Sequence, residues 1–77
     1  MVNLHLGGHL AFYAPQKQSR ISLPIIHPTG LGELLKKLEI PTIEVAIAAI
    51  NGELVDLETA EVKPGDLIEL YPPMGGG

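Results

Sequence analysis

The sequence predicts an α+β domain in which one main helix covers one face of a mixed β-sheet, in the order β-β-α-β-β-β. Three observations lead there. Apolar residues alternate with a period of two near both ends of the chain, and one stretch alone carries a helical apolar stripe. Asn51-Gly52 and Pro64-Gly65 then punctuate the C-terminal half as turns. With 77 residues there is room for one core and no second.

Val2, Leu4 and Leu6 alternate with Asn3 and His5, the mark of a strand with one buried face. Gly7-Gly8 interrupts it. Leu10, Phe12 and Ala14 stay in phase, which fits either a kinked continuation or a short helical turn. Ala14 to Ser19 is a polar connection. From Arg20 to Ile26 the alternation resumes, with Ile21, Leu23 and Ile25 on one side, and Pro24 marks an edge strand. These two strands are expected to pair as a hairpin. After a break at His27–Gly30, Leu31, Leu34, Leu35 and Leu38 fall at i, i+3, i+4 and i+7 of one helix. Glu33 early and Lys36-Lys37 late suit the helix dipole, and Pro41 stops it.

Ile43 to Ile50 reads as a strand covered on both faces. Asn51-Gly52 turns it back towards Leu54-Val55. Glu53, Asp56, Glu58 and Glu61 make this hairpin the acidic region. Lys63-Pro64-Gly65-Asp66 is a type II turn by composition. Leu67 to Tyr71 is the last strand, with Ile68 and Leu70 inward and Leu67, Glu69 and Tyr71 on the other face. The order suits a β-grasp fold, with the domain at 1–71 and an extended tail at 72–77.

Composition excludes several functions. There is no cysteine, hence no disulfide, thiolate metal site or cysteine nucleophile. A net charge of −4 argues against nucleic acid as a partner and for a basic protein surface. No apolar run reaches membrane-span length and no basic leader opens the sequence, so a cytoplasmic location without membrane attachment is expected.

The tail is the distinctive feature. Pro72-Pro73 is stiff and extended, and Met74-Gly75-Gly76-Gly77 follows as a thread with almost no side chains. Six extended residues beyond Tyr71 reach about 20 Å. Such a segment reads as a spacer followed by a probe that can enter a narrow channel on another protein.

The segments Glu33–Pro41, Ile50-Asn51-Gly52, Pro64-Gly65-Asp66 and Pro72–Gly77, in this order and spacing, resemble the ubiquitin-like sulfur carriers. That group includes the small subunit of molybdopterin synthase and the thiamine-pathway sulfur carrier. The resemblance implies a β-grasp fold and a C-terminal Gly77 whose carboxylate is adenylated by a ubiquitin-activating-type adenylyltransferase. It implies further that sulfur transfer yields a thiocarboxylate, which donates sulfur inside a second partner, such as the molybdopterin synthase large subunit. Gly76 would be the penultimate glycine, Met74 and Gly75 the variable positions, and no trimming is expected. The chain would bind no cofactor and would not be an enzyme on its own, with ATP and sulfur supplied by its partners. The absence of a GxxxxGK phosphate loop agrees with ATP being bound elsewhere. Pro72-Pro73 and the length look like the molybdopterin (or tungstopterin) type, and molybdopterin cofactor synthesis is the expected pathway; Ile50-Asn51-Gly52 and Ile68-Glu69 look somewhat like the thiamine type, which is the alternative. Glu39 departs from the family by standing where many relatives place a glycine after the helix.

Leu67 and Tyr71, with Phe12 as an extension, are candidates for an apolar patch that docks the partner and aims the tail; packing within the domain is the alternative. His5, His9 and His27 do not suggest a metal, since His5 and His9 on one strand would lie about 13 Å apart. The acidic cluster reads as a solvated loop that steers docking. Two competing functions share the tail chemistry or dispense with it: a ubiquitin-like modifier joined to lysines through Gly77, and a non-catalytic interaction domain with an inert tail.

Overall fold

A computed structural model describes residues 1–73. Strand β1 (Val2–Leu6) buries Val2, Leu4 and Leu6 and turns Asn3 outward, as its alternation predicts. It pairs antiparallel with β2 (Arg20–Leu23), from Val2 opposite Leu23 to His5 opposite Arg20. On its other side β1 runs parallel to β7 (Leu67–Tyr71), from Asn3 opposite Leu67 to Leu6 opposite Leu70. β4 (Ile47–Ile50) pairs antiparallel with β7, and β5 (Glu53–Val55) closes the far edge. The five-stranded order is β2-β1-β7-β4-β5, so the last strand lies at the centre beside the first.

Helix α1 (Leu31–Lys37) lays its stripe on one face of this sheet. Leu31, Leu34 and Leu35 join a core with Leu4, Leu6, Leu10, Ile68 and Leu70. Each fully buried aliphatic side chain of this kind contributes about 1.5–3 kcal/mol. The helix ends before Pro41. Glu39 adopts φ +60, and the Ile40 and Glu39 amides donate back to the carbonyls of Leu35 and Lys36 at 2.9 and 3.1 Å. That is a Schellman end built on a residue other than glycine.

Both turns take the expected form. Asn51 and Gly52 have φ +52 and +86, the left-handed pair that a two-residue hairpin loop requires. Gly65 has φ +96 and the Asp66 amide donates to the Lys63 carbonyl at 3.1 Å, as in a type II turn.

Of the two readings open for the segment after Gly7, the helical turn is the one observed: Gly8–Tyr13 is a 3-10 segment that buries Leu10 while Phe12 stays 66% exposed. β1 and β2 pair antiparallel as expected, joined through this segment and a second 3-10 segment at Pro15–Lys17. Two expectations need correction. β2 stops at Leu23, because Pro24 has no N–H to extend the ladder, and Ile26 lies in solvent. The strand read from Ile43 begins only at Ile47. Thr42–Glu44 forms a 3-10 turn after Pro41, leaving Ile43 exposed, while Ala48 and Ala49 are buried from opposite faces. Two further strands of two residues each, β3 (Thr29–Gly30) and β6 (Glu61–Val62), form a separate antiparallel ribbon.

Candidate functional site

The site is the place where β7 passes into the tail. Tyr71 is the last residue of β7, Pro72 is half-buried and Pro73 is exposed. Met74, Gly75, Gly76 and Gly77 lie outside the described residues. The root is gripped from both sides by backbone. The Gly7 amide donates to the Leu70 carbonyl at 2.8 Å, and the Ala46 amide donates to the Tyr71 carbonyl at 2.8 Å.

Gly7 and Gly8 are glycines because of this approach. A Cβ on Gly7 would stand 2.4 Å from Tyr71 Cδ1, and one on Gly8 would stand 2.8 Å from Pro72 Cγ. Gly8 also has φ +52. The pair that interrupts β1 is thus the bed on which Tyr71 and Pro72 lie.

Tyr71 is further held by an edge-on contact with His5, ring centroids 6.1 Å apart at 86°, and its hydroxyl donates to Glu69 Oε2 at 3.1 Å. That bond to a carboxylate raises the phenol pKa above its ordinary value. Leu67 shares the outer face of β7 and is 43% exposed. Across the sheet Ile47 stands opposite Tyr71, and Leu54 stands opposite Ala49 next along, so the outer face has an apolar strip on the β4–β5 side. Phe12 is not a residue of the sheet and is 66% exposed. It sits on the 3-10 segment after Gly8, with the Lys17 ammonium 5.3 Å from its ring centre.

A polar group beside the root escaped the sequence reading. Glu44 receives His9 Nε2 at 2.8 Å on one carboxylate oxygen and the Tyr13 hydroxyl on the other. The Tyr13 bond, then the His9 bond, lowers the Glu44 pKa, and the Tyr13 phenol is raised by its bond to Glu44. His9 and Glu44 are 35 positions apart, and no local pattern announces their meeting.

At the opposite end of β7, Asp66 is the one buried acid among the described residues. The Lys63 amide donates to its Oδ2 at 2.8 Å and the Asn51 side-chain amide to its Oδ1 at 2.9 Å. Asn51 Oδ1 in turn accepts the Leu67 amide at 2.9 Å. The two turns are thereby fastened together. These bonds, the Lys63 backbone first and then Asn51, hold the Asp66 pKa below its ordinary value.

The acids Glu53, Asp56 and Glu61 line an open groove of about 450 Å³ with Lys63, away from the root. The His27 ring bonds the Pro28 carbonyl at 3.1 Å, and no three metal-capable side chains gather among the described residues. No helix among them is long and apolar enough to cross a membrane.

A β-grasp sheet whose central C-terminal strand leads into a Pro-Pro and glycine sequence is common to ubiquitin-like sulfur carriers and modifiers, and the family match selects the carriers. The ThiS family model matches residues 17–77, and the chain belongs to that family. The fold agrees with the NMR solution structure of a thiamine biosynthesis protein from Geobacter metallireducens. The two share a TM-score of 0.54 and 27% identity over 97% of this chain and 87% of that one. No curated protein matches the chain significantly.

Proposed function

We propose that this sulfur carrier serves the thiamine pathway, with Gly77 as the atom-bearing residue. The family match and the thiamine biosynthesis protein of similar fold support the thiamine type over the molybdopterin type that Pro72-Pro73 and the chain length favour. The observation that carries the choice of pathway is the family match over residues 17–77; the tail root, where β7 ends on Tyr71 and Pro73 is exposed, supports the carrier role that both types share.

In the proposed chemistry a Gly77 carboxylate oxygen attacks the α-phosphorus of ATP on a ubiquitin-activating-type adenylyltransferase, and pyrophosphate leaves. Hydrosulfide then attacks the acyl carbon, the C–O bond to AMP breaks, a proton is released, and the thiocarboxylate remains. A free carboxylate is a poor electrophile, and the adenylate supplies the leaving group. Sulfur passes next to a synthase that accepts it. The carrier supplies reach and fit, and each partner supplies the catalysis. Met74, Gly75 and Gly76 would thread the partner's channel, with Leu67 and Tyr71 docking its rim and Phe12 flanking them.

The test is to charge the protein with a thiamine-type adenylyltransferase, ATP and hydrosulfide, and then to offer it separately to the thiamine-pathway synthase and to the molybdopterin synthase large subunit. Sulfur transfer to the first alone is expected. Transfer to the second alone would overturn the thiamine assignment. Replacing exposed Leu67 by Asp should raise the KM for charging several-fold, roughly the cost of losing one interface anchor of 1 kcal/mol or more, with the melting temperature unchanged. An unaltered KM would remove Leu67 from the docking surface.

A further inference from the structure

We propose that Glu44, bridged to His9 and Tyr13, is a positioning clasp that sets the direction in which the tail leaves the domain. This rests on the sulfur-carrier reading of Gly77 and adds to it a set of residues that need not touch the partner or ATP.

The geometry places the bridge across the two walls of the root. One wall is the 3-10 segment Gly8–Tyr13, whose first residue lies against Pro72. The other is the 3-10 turn Thr42–Glu44, two residues before Ala46, whose amide grips the Tyr71 carbonyl. Neither wall is stiff alone, since each is a short 3-10 element with few internal bonds. The one direct side-chain link between them among the described residues is the Glu44 carboxylate, which accepts from His9 on the first wall and from Tyr13 at its end. Two bonds to one carboxylate fix its plane as well as its distance, which a single bond does not.

The Tyr13 ring packs against the core, but the carboxylate it reaches does not: the His9 and Glu44 side chains are 46% and 33% exposed, so the net contribution of their pairing to folding is small. A link that adds little stability yet joins the two walls of the exit fits an orienting role. Pro72-Pro73 then propagates the direction, because the proline pair cannot absorb an angular error by rotating φ.

The experiment compares wild type with Glu44→Ala, Glu44→Gln and Tyr13→Phe. Glutamine keeps an acceptor for Tyr13 and a donor for His9. Charging kinetics at varied carrier concentration separate docking from delivery, because a misaimed tail lowers kcat while an intact docking face keeps KM. For Glu44→Ala a fall in kcat of roughly tenfold or more is expected, with KM within about twofold, in keeping with the rate cost of misplacing a reacting group by about 1 Å. Glu44→Gln should recover most of kcat, and Tyr13→Phe should fall between. A wild-type kcat in Glu44→Ala, or a rise in KM with kcat unchanged, would overturn the clasp. So would failure of Glu44→Gln as severe as that of Glu44→Ala, which would mean that charge at the surface matters rather than the bridge.

A second readout does not depend on sulfur chemistry. The nuclear Overhauser contact between Gly8 and Pro72 protons should be present in wild type and Glu44→Gln and weakened in Glu44→Ala at equal helix and sheet content. Its persistence at full strength in Glu44→Ala would overturn the clasp even if wild type were never charged. If Glu44→Ala failed to fold, Tyr13→Phe, which removes one hydroxyl, would carry both readouts.

Discussion

The two ends of β7 are fastened by different physics. At its start, Asp66 is buried and its carboxylate takes bonds from the Lys63 backbone and the Asn51 side chain, tying two turns into one knot. At its finish, Tyr71 and Pro72 lie on glycines, and the Glu44 carboxylate that links the two walls of the root is partly open to water. A buried charge left without its partners is costly, whereas an exposed bridge is nearly free to break. On the proposal above, the side-chain network at the start of the strand bears mainly on stability, and the Glu44 bridge at its finish bears mainly on the direction of the tail.

That separation can be broken most severely at the tail itself. Deleting Gly76-Gly77 should abolish charging completely and leave the melting temperature where it was. A truncated protein that still acquires sulfur would refute the assignment of the reactive end, and one that unfolds would refute the separation.

The next effect belongs to Asp66. Asp66→Ala leaves the donors of Lys63 and Asn51 without their acceptor and should cost about 2–3 kcal/mol in denaturant unfolding. The pH dependence has a definite sign. Because the folded pKa of Asp66 is depressed, its contribution is present in full above the ordinary aspartate value and is lost as the pH falls through the lower folded value. Wild type should therefore lose stability on acidification more steeply than Asp66→Asn, and parallel curves would contradict the network.

A Cβ at Gly7 collides with the Tyr71 ring, and Gly7→Ala should cost about 1–3 kcal/mol as the ring is displaced. It should also slow charging, because the displaced ring is the last support before Pro72. Neutral stability together with neutral charging would show that the root tolerates a different path.

The smallest effect is a gain. Glu39 ends α1 at φ +60, a conformation that costs an L-residue about 1–2 kcal/mol. Glycine removes that cost but makes the unfolded chain more flexible by about 0.4–1 kcal/mol. Glu39→Gly should therefore stabilise by about 0.5–1 kcal/mol, with charging unaltered.

The departure at Glu39 was visible in the sequence as a missing glycine after the helix, and the structure gives it a backbone conformation. Several other features were as legible, because each is a local signal. β1 alternates residue by residue, the leucine stripe of α1 has the helical period, and Asn51-Gly52 and Pro64-Gly65 carry turn chemistry within two residues. Less legible were features that depend on distant meetings. The β3–β6 ribbon is too short for any period to show. Asp66 looked like a turn residue, since its bond to Asn51 spans 15 positions. Glu44 looked like the one polar residue of a strand, because the residues that recruit it, His9 and Tyr13, lie more than 30 positions earlier. In sequence Gly7-Gly8 reads as an interruption; its cause, the passage of Tyr71 and Pro72, is at the other end of the chain. The tail motif was the reverse case, legible in sequence while Met74 to Gly77 lie outside the described residues.

In the function proposed above, this domain presents the Gly77 carboxylate for conversion to a thiocarboxylate. The most direct measurement is the intact mass of the protein after incubation with the adenylyltransferase, ATP and hydrosulfide, followed by fragmentation to locate any change. The account predicts one sulfur in place of one oxygen, confined to Gly77 and absent without ATP. An unchanged terminus, under conditions that charge an authentic carrier of the family, would contradict it.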